Sequence, residues 1–259
     1  MTAGSANEYF ELAGRVALIT GSTRGIGAAI AEEFAEAGAE VIITGRSREE
    51  AQAVADRIAE AGAVCHAVAY EAGVPGAAHD LIAALSAHVS KLDILVNNAA
   101  ILRPHRVGRL SEAEFDEVFG INTRAALFLC QEAHSLLVRS ESAAIVNLTA
   151  ACAHRPIAGL GAYCASKAAM INFTSTLAQE WAKDGIRVNA LTPGSVATEM
   201  ILPKDPGERD AFEAEMASQN LMGRLAEPRE IARAVRFLSS PAASFMTGQT
   251  MIVDGGLLA

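Results

Sequence analysis

This sequence has no apolar run approaching the ~18 residues of a membrane-spanning helix, and residues 1–15 hold neither a basic cluster nor a hydrophobic stretch ending in a cleavage site. Neither a membrane protein nor a secreted precursor is expected. Basic residues are in deficit: 21 Lys and Arg against 30 Asp and Glu leave a net charge of -9, which argues against a nucleic-acid surface. The four cysteines, Cys65, Cys130, Cys152 and Cys164, contain no C-x-x-C pair, and the six histidines no H-E-x-x-H pattern. No disulfide scaffold and no metal site are expected, and a reducing cytoplasm is the natural compartment. There is no Pro/Gly/Ser-rich linker, repeat or low-complexity tract, so residues 1–259 read as a single domain. Aromatic residues make up only 5% of a chain that is 51% hydrophobic, so its core must come from Ala, Val, Ile and Leu, a composition suited to helices packed on a buried sheet.

Short apolar runs alternate with longer helical patterns. Strands are predicted at 15–20, 40–44, 64–69, 93–96, 143–148, 187–191 and 250–253, and helices at 25–37, 47–61, 75–89, 111–138, 162–183 and 228–238. Strands apolar on both faces and separated by helices imply a Rossmann-like, doubly wound parallel sheet covered on both sides, with ligand beyond the carboxyl ends of the strands. After Pro193 the alternation loosens, and the stretch 199–222, with an exposed helix expected at 208–219, suits a substrate lid.

Two stretches carry chemistry. In Tyr163-Cys164-Ala165-Ser166-Lys167, residues four apart share a helix face, so a phenol and an ammonium meet in one site. A free tyrosine ionises near pH ~10; a fixed cation beside it stabilises the phenolate and draws that value toward the working range. At the other end, Thr20-Gly21-Ser22-Thr23-Arg24-Gly25-Ile26-Gly27 lies between the first strand and first helix. Glycines at 21, 25 and 27 let the backbone turn tightly and approach a pyrophosphate at the helix N-terminus. An acid that would take a ribose 2′-hydroxyl is missing at the end of the second strand, where Gly45 is followed by Arg46. Arg24 and Arg46 are instead placed to meet a 2′-phosphate, which favours NADP(H) over NAD(H).

These motifs closely resemble those of the short-chain dehydrogenase/reductase family, in its 3-oxoacyl-acyl-carrier-protein-reductase-like branch, over residues 15–256. Asn97-Asn98-Ala99-Ala100 is similar to the family's N-N-A-G, Pro193-Gly194 through Val196 to Thr198 to its nicotinamide-holding P-G-x-x-x-T, and Asp254-Gly255-Gly256 to its C-terminal signature. The resemblance implies an oxidoreductase that moves a hydride between the nicotinamide of NADP(H) and a small or medium carbonyl or alcohol. In it Tyr163 exchanges the proton, Lys167 holds the nicotinamide ribose and lowers the tyrosine pKa, and Asn122 holds a water in the proton relay. It also implies a homotetramer with two-fold symmetry, whose contacts the helices at 111–138 and 162–183 would offer.

The pattern breaks at one place. Thirteen residues before Tyr163, where the family has its catalytic serine, stands Ala150. A preorganised donor of that kind is worth roughly 10²- to 10³-fold in rate. Its place falls to Thr149 through a register shift, or to Cys152 or His154, or else the serine has been replaced and activity is impaired. An inactive NADP(H)-binding protein and a reductase of imines or activated alkenes are the alternative functions. Two smaller departures are Ala100, which adds a methyl near the cofactor, and Tyr70, expected to pack on the adenine where the family often has an aspartate. By the same resemblance Ala150, Cys152, His154 and Met200 border the substrate, with Leu102, Arg103, His105, Arg155 and Leu202 nearby.

Overall fold

The computed structural model describes residues 8–259. Seven strands, β1 (Val16–Ile19), β2 (Glu40–Gly45), β3 (Cys65–Ala69), β4 (Ile94–Asn97), β5 (Ala144–Leu148), β6 (Arg187–Pro193) and β7 (Thr250–Val253), form one sheet in the order β3-β2-β1-β4-β5-β6-β7. Every pairing is parallel. Burial explains the apolar runs: β1, β4, β5 and β6 are buried at every residue, whereas the edge strands β3 and β7 are only half-buried.

The helices are α1 (Gly25–Glu36), α2 (Arg48–Glu60), α3 (Ala77–Leu85), α4 (Glu112–Phe119), α5 (Ala125–Leu137), α6 (Gly161–Trp181), α7 (Pro206–Ala217) and α8 (Pro228–Ser239). Because side chains alternate along a strand, β1 sends Ala17 and Ile19 to one face and Val16 and Leu18 to the other. The first pair packs with Ile30, Phe34, Val54, Ile231 and Val235 of α1, α2 and α8. The second packs with Leu81, Leu129, Ala133 and Leu177 of α3, α5 and α6. The helix starts are encoded locally. Ser47 accepts from the Glu50 N-H, Ser111 and Glu114 form a reciprocal capping box, and Pro206 and Pro228 occupy first-turn positions.

Two segments differ from the sequence reading. Residues 111–138 are not one α-helix: α4 and α5 are joined through a π turn, Gly120–Arg124. Such a turn inserts one residue into the 3.6-residue repeat, and apolar spacing carries no sign of it. The third helix is shorter than 75–89, starting after Gly76, whose φ of 86° lies in the left-handed region. The expected exposed helix at 208–219 is present as α7, with no buried residue. Among the described residues no helix is long and apolar enough to cross a membrane.

The chain winds outward from β1 through β2 to β3, then returns to place β4 on the other side of β1. The crevice at the carboxyl ends of β1 and β4 is therefore the topological switch point, where ligands bind in open α/β sheets.

Candidate active site

The glycine turn sits at that switch point. Gly21 and Gly25 have φ of 63° and 57°, conformations that side-chain-bearing residues rarely adopt. A Cβ on Gly27 would lie 2.3 Å from the Gly21 carbonyl oxygen, and one on Gly21 would lie 3.0 Å from the Ala99 Cα. Arg24, at the N-cap of α1, supplies no side-chain cap, so the first N-H groups of the helix face the turn without an internal partner. A bare, glycine-lined helix N-terminus at the switch point fits the pyrophosphate of a dinucleotide.

Threonine, serine and asparagine hold the turn in this shape. The Thr20 hydroxyl accepts from the Asn98 and Ala99 N-H groups at 2.9 and 3.0 Å, and Asn98 Nδ2 donates to the Thr20 and Gly21 carbonyls. Ser22 Oγ donates to the Ile19 carbonyl and accepts from the Thr44 N-H, and Thr44 Oγ1 accepts from the Gly21 N-H. Ser22 is fully buried, so it shapes the turn and presents no hydroxyl to the crevice. Ile26 packs beneath the turn against the core. From the far side Thr198 reaches over the turn, its Cγ2 being 3.5 Å from where a Gly25 Cβ would stand. Gly194 crosses Asp254 so closely that a Cβ would lie 2.7 Å from the Asp254 Cα. Val196 buries its side chain in the core.

Arg24 and Arg46 are both exposed beside this turn. Arg24 Nη1 pairs with Glu199 at 3.0 Å, the two side chains being 69% and 76% exposed. A side chain at position 45 would press on Thr23, since a Gly45 Cβ would lie 2.5 Å from the Thr23 Cγ2, so that methyl would have to turn aside for a larger residue there. The Tyr70 ring does not offer itself to an adenine. It is buried with Ala78, Leu81 and Leu129 in the layer of α3 and α5, and burial pushes its hydroxyl up to about 12.

The second group of residues gathers at the carboxyl ends of β4 and β5. Tyr163 and Lys167 sit one turn apart near the start of α6, 8% and 3% exposed. Lys167 Nζ donates to the Leu148 carbonyl at 2.9 Å and stands 6.0 Å from the Tyr163 ring centroid. Asn122, in the π turn, grips the backbone of Ile101: its Oδ1 accepts from the Ile101 N-H at 2.8 Å, and its Nδ2 donates to the Ile101 carbonyl at 3.0 Å and to Ser166 Oγ at 3.1 Å. The extra residue of the turn gives the helix two faces at once, one on the core and one toward the strand end.

The expected lowering of the tyrosine pKa by Lys167 is not what this arrangement produces. Burial raises the Tyr163 phenol, with Cys152 and Cys164 adding to it, and burial also lowers Lys167 to about 8. Lys167 spends a hydrogen bond on the Leu148 carbonyl, and above about pH 8 it gives up its charge, so the burial of the phenol prevails. The linkage has a definite sign. Between pH 8 and 10.5 the unfolded chain holds a proton that folded Lys167 has released, so parent stability rises across that window and is flat in this group outside it. Urea unfolding of the parent and of Lys167→Met is expected to show the parent gaining up to about 3 kcal/mol on the variant between those pH values.

Ala150 is half-buried and packs with Leu102, Cys152, Leu160, Tyr163 and Cys164. Thr149 does not replace the missing hydroxyl. Its Oγ1 donates to the Leu191 carbonyl at 3.1 Å and pairs with Thr192 Oγ1 at 2.6 Å, facing β6, as alternation from Ala150 requires. His154 Nε2 meets the same Thr192 hydroxyl at 3.1 Å. Met200 is exposed, in the segment that leads to α7. The loop after β4 and the loop after β5 join through the His105 N-H, which donates to the Gly159 carbonyl at 2.6 Å.

Sequence reasoning missed Thr20 and Thr44 as organisers of the turn, Ser166 as the partner of Asn122, Leu160 and Cys164 beside Tyr163, and Glu199 opposite Arg24. For Ser166 and Cys164 a signal was present, since they lie within the Tyr163–Lys167 turn. Among the described residues no cluster of three or more His, Cys, Asp or Glu is placed to hold a metal ion.

Comparison with known proteins agrees with this geometry. The family model for enoyl-(acyl carrier protein) reductases matches residues 21–258. A 3-oxoacyl-acyl-carrier-protein reductase of Vibrio cholerae is 37% identical over 246 residues, covering 95% of this chain and 98% of its own. A D-threitol dehydrogenase of Mycolicibacterium smegmatis is 37% identical over 248 residues, covering 95% and 94%. Among solved structures, a 3-oxoacyl (acyl-carrier-protein) reductase of Agrobacterium tumefaciens with NADP bound superposes with a TM-score of 0.92 at 34% identity, covering 97% of each chain. The chain belongs to the short-chain dehydrogenase/reductase family and is an oxidoreductase of its 3-oxoacyl-acyl-carrier-protein-reductase-like branch.

Proposed function

We propose that this enzyme uses NADP(H) to interconvert a small or medium carbonyl compound and its alcohol, with Tyr163 as the proton donor and acceptor. The observation that carries this reading is the buried Tyr163–Lys167 pair, held one helical turn apart beside a glycine turn bare enough for a dinucleotide. The cofactor supplies or accepts the hydride. The chain positions it: the N-H groups at Gly25, Ile26 and Gly27 take the pyrophosphate, Arg24 and Arg46 take the 2′-phosphate, Asn98 and Ala99 wall the adenosine side, and Pro193, Gly194, Val196 and Thr198 bound the nicotinamide side. Lys167 turns from the Leu148 carbonyl to the ribose hydroxyls. Asn122, fixed on Ile101, marks the far end of the proton path from Tyr163. Residues 199–222 close over the substrate near Cys152, His154 and Met200, and release of Arg24 from Glu199 frees the start of that lid.

The NADP-bound structures among the relatives support the cofactor assignment, as does the absence of an acid at Gly45 with Arg46 beside it. A soluble cytoplasmic homotetramer is the assembly we propose, with α4 and α5 offering exposed Phe115 and Phe128 as contacts. The test is NADPH oxidation with a panel of ketones, aldehydes, imines and activated alkenes. With each substrate, Arg46→Ala or Arg24→Ala is expected to weaken NADPH binding roughly tenfold, a charge-assisted hydrogen bond being worth about 1.5–3 kcal/mol, while NADH binding changes little. Equal weakening of both cofactors would assign the arginines to the pyrophosphate instead.

A further inference from the structure

A carbonyl oxygen entering beside Tyr163 meets a methyl at Ala150 where the family places a hydroxyl. The neighbouring hydroxyls and amides are already committed. Thr149 is bonded to Leu191 and Thr192, His154 reaches back to Thr192, and Asn122 is fixed on Ile101 and Ser166. Two thiols are not tied to the backbone in this way. Cys152 lies two residues past Ala150, on the short turn Ala151–Ala153, and Cys164 follows Tyr163 in α6. Both are buried in the cluster that surrounds the phenol, with Ala150, Leu102 and Leu160 completing it. The two thiols pack in one buried cluster with the Tyr163 ring, so a donor on Cys152 lies beside the phenol.

We propose that the Cys152 thiol donates the hydrogen bond that orients the substrate oxygen toward Tyr163, in place of the hydroxyl missing at position 150. This rests on the carbonyl–alcohol reading above. The two sites are adjacent on one turn, so a donor moved from residue 150 to residue 152 still faces the same cluster. Sulfur is a weak donor, but it reaches further than oxygen and carries no competing charge. It must stay protonated to serve, and burial does this, pushing the Cys152 thiol up to about 12.

The test compares the parent with Cys152→Ala, Cys152→Ser and the double variant Ala150→Ser/Cys152→Ala, in NADPH-driven reduction of the ketones that the parent accepts. Cys152→Ala is expected to lower kcat roughly tenfold, less than the loss of a full oxyanion donor, with the NADPH Kd and the melting temperature unchanged. Cys152→Ser is expected to keep or exceed the parent kcat, and the double variant to recover it. A purely structural thiol would cost the same factor with and without Ala150→Ser, whereas a donor that the serine makes redundant costs less once the serine is present. An unchanged kcat in Cys152→Ala, or a double variant as slow as that single one, overturns the proposal and leaves the carbonyl reading standing. Absence of turnover in both the parent and Ala150→Ser across the panel overturns the two together.

Discussion

Replacing Tyr163 by phenylalanine is expected to lower kcat by roughly 10²- to 10⁴-fold, the range that a positioned acid or base contributes. Only the phenolic oxygen is removed. The ring packs among Leu102, Ala150, Cys152 and Cys164, and phenylalanine keeps those contacts, so the fold and the NADPH Kd are expected to hold. Lys167 remains available for the ribose, since its present hydrogen bond is to Leu148 and not to the phenol. Single-turnover oxidation of bound NADPH, followed at the nicotinamide absorbance, separates the chemical step from binding. A variant that keeps more than about a tenth of the parent rate would remove Tyr163 from the role of proton donor assigned by the general acid argument.

The opposite change is expected at position 150. Ala150→Ser should raise kcat on ketones by roughly ten- to a hundredfold, somewhat below the 10²–10³ of an isolated oxyanion donor because the Cys152 thiol already carries part of that role. The backbone at Ala150 is extended, with φ of -161° and ψ of 153°, a conformation any residue adopts, so a serine enters without strain. Its hydroxyl would point into the cluster that holds the phenol, since the alanine methyl already does. The gain should lie in kcat and not in NADPH affinity, because a hydroxyl there would face the phenol cluster after β5 and not the N-H groups of the glycine turn after β1. A serine variant no faster than the parent would mean that the oxygen-anchoring contact lies elsewhere or that the substrate carries no ketone oxygen.

What the sequence displayed, and what it concealed, follow from the range of the forces involved. The sheet was legible because β1, β4, β5 and β6 are buried on both faces, which demands unbroken apolar runs. The glycine turn was legible because a missing Cβ leaves its mark in the sequence: Gly21, Gly25 and Gly27 are needed where backbone meets backbone. Tyr163 and Lys167 share one helix turn, so their spacing is local. The contacts that tune these parts are not local. Arg24 finds Glu199 across 175 residues, Asn122 finds Ile101 and Ser166, and Cys152 meets Cys164 through the packing of a loop on α6. The direction of the Tyr163 shift depended on such packing too. Two residues at helix spacing suggest an activated phenol, but their burial outweighs their pairing.

The π turn at Gly120–Arg124 bears on how this site was acquired and how readily it is lost. One additional residue in a helix rotates everything after it by about 100°. Deleting a single codon there would heal the helix into a regular one, with better backbone hydrogen bonding and Asn122 swung off the end of β4. The same rotation would reach α5, so the chain could keep Asn122 on Ile101 or Leu129, Ala133 and Leu136 in the core, but not both. The irregular turn therefore joins the site to the core, and losing it would be felt in both.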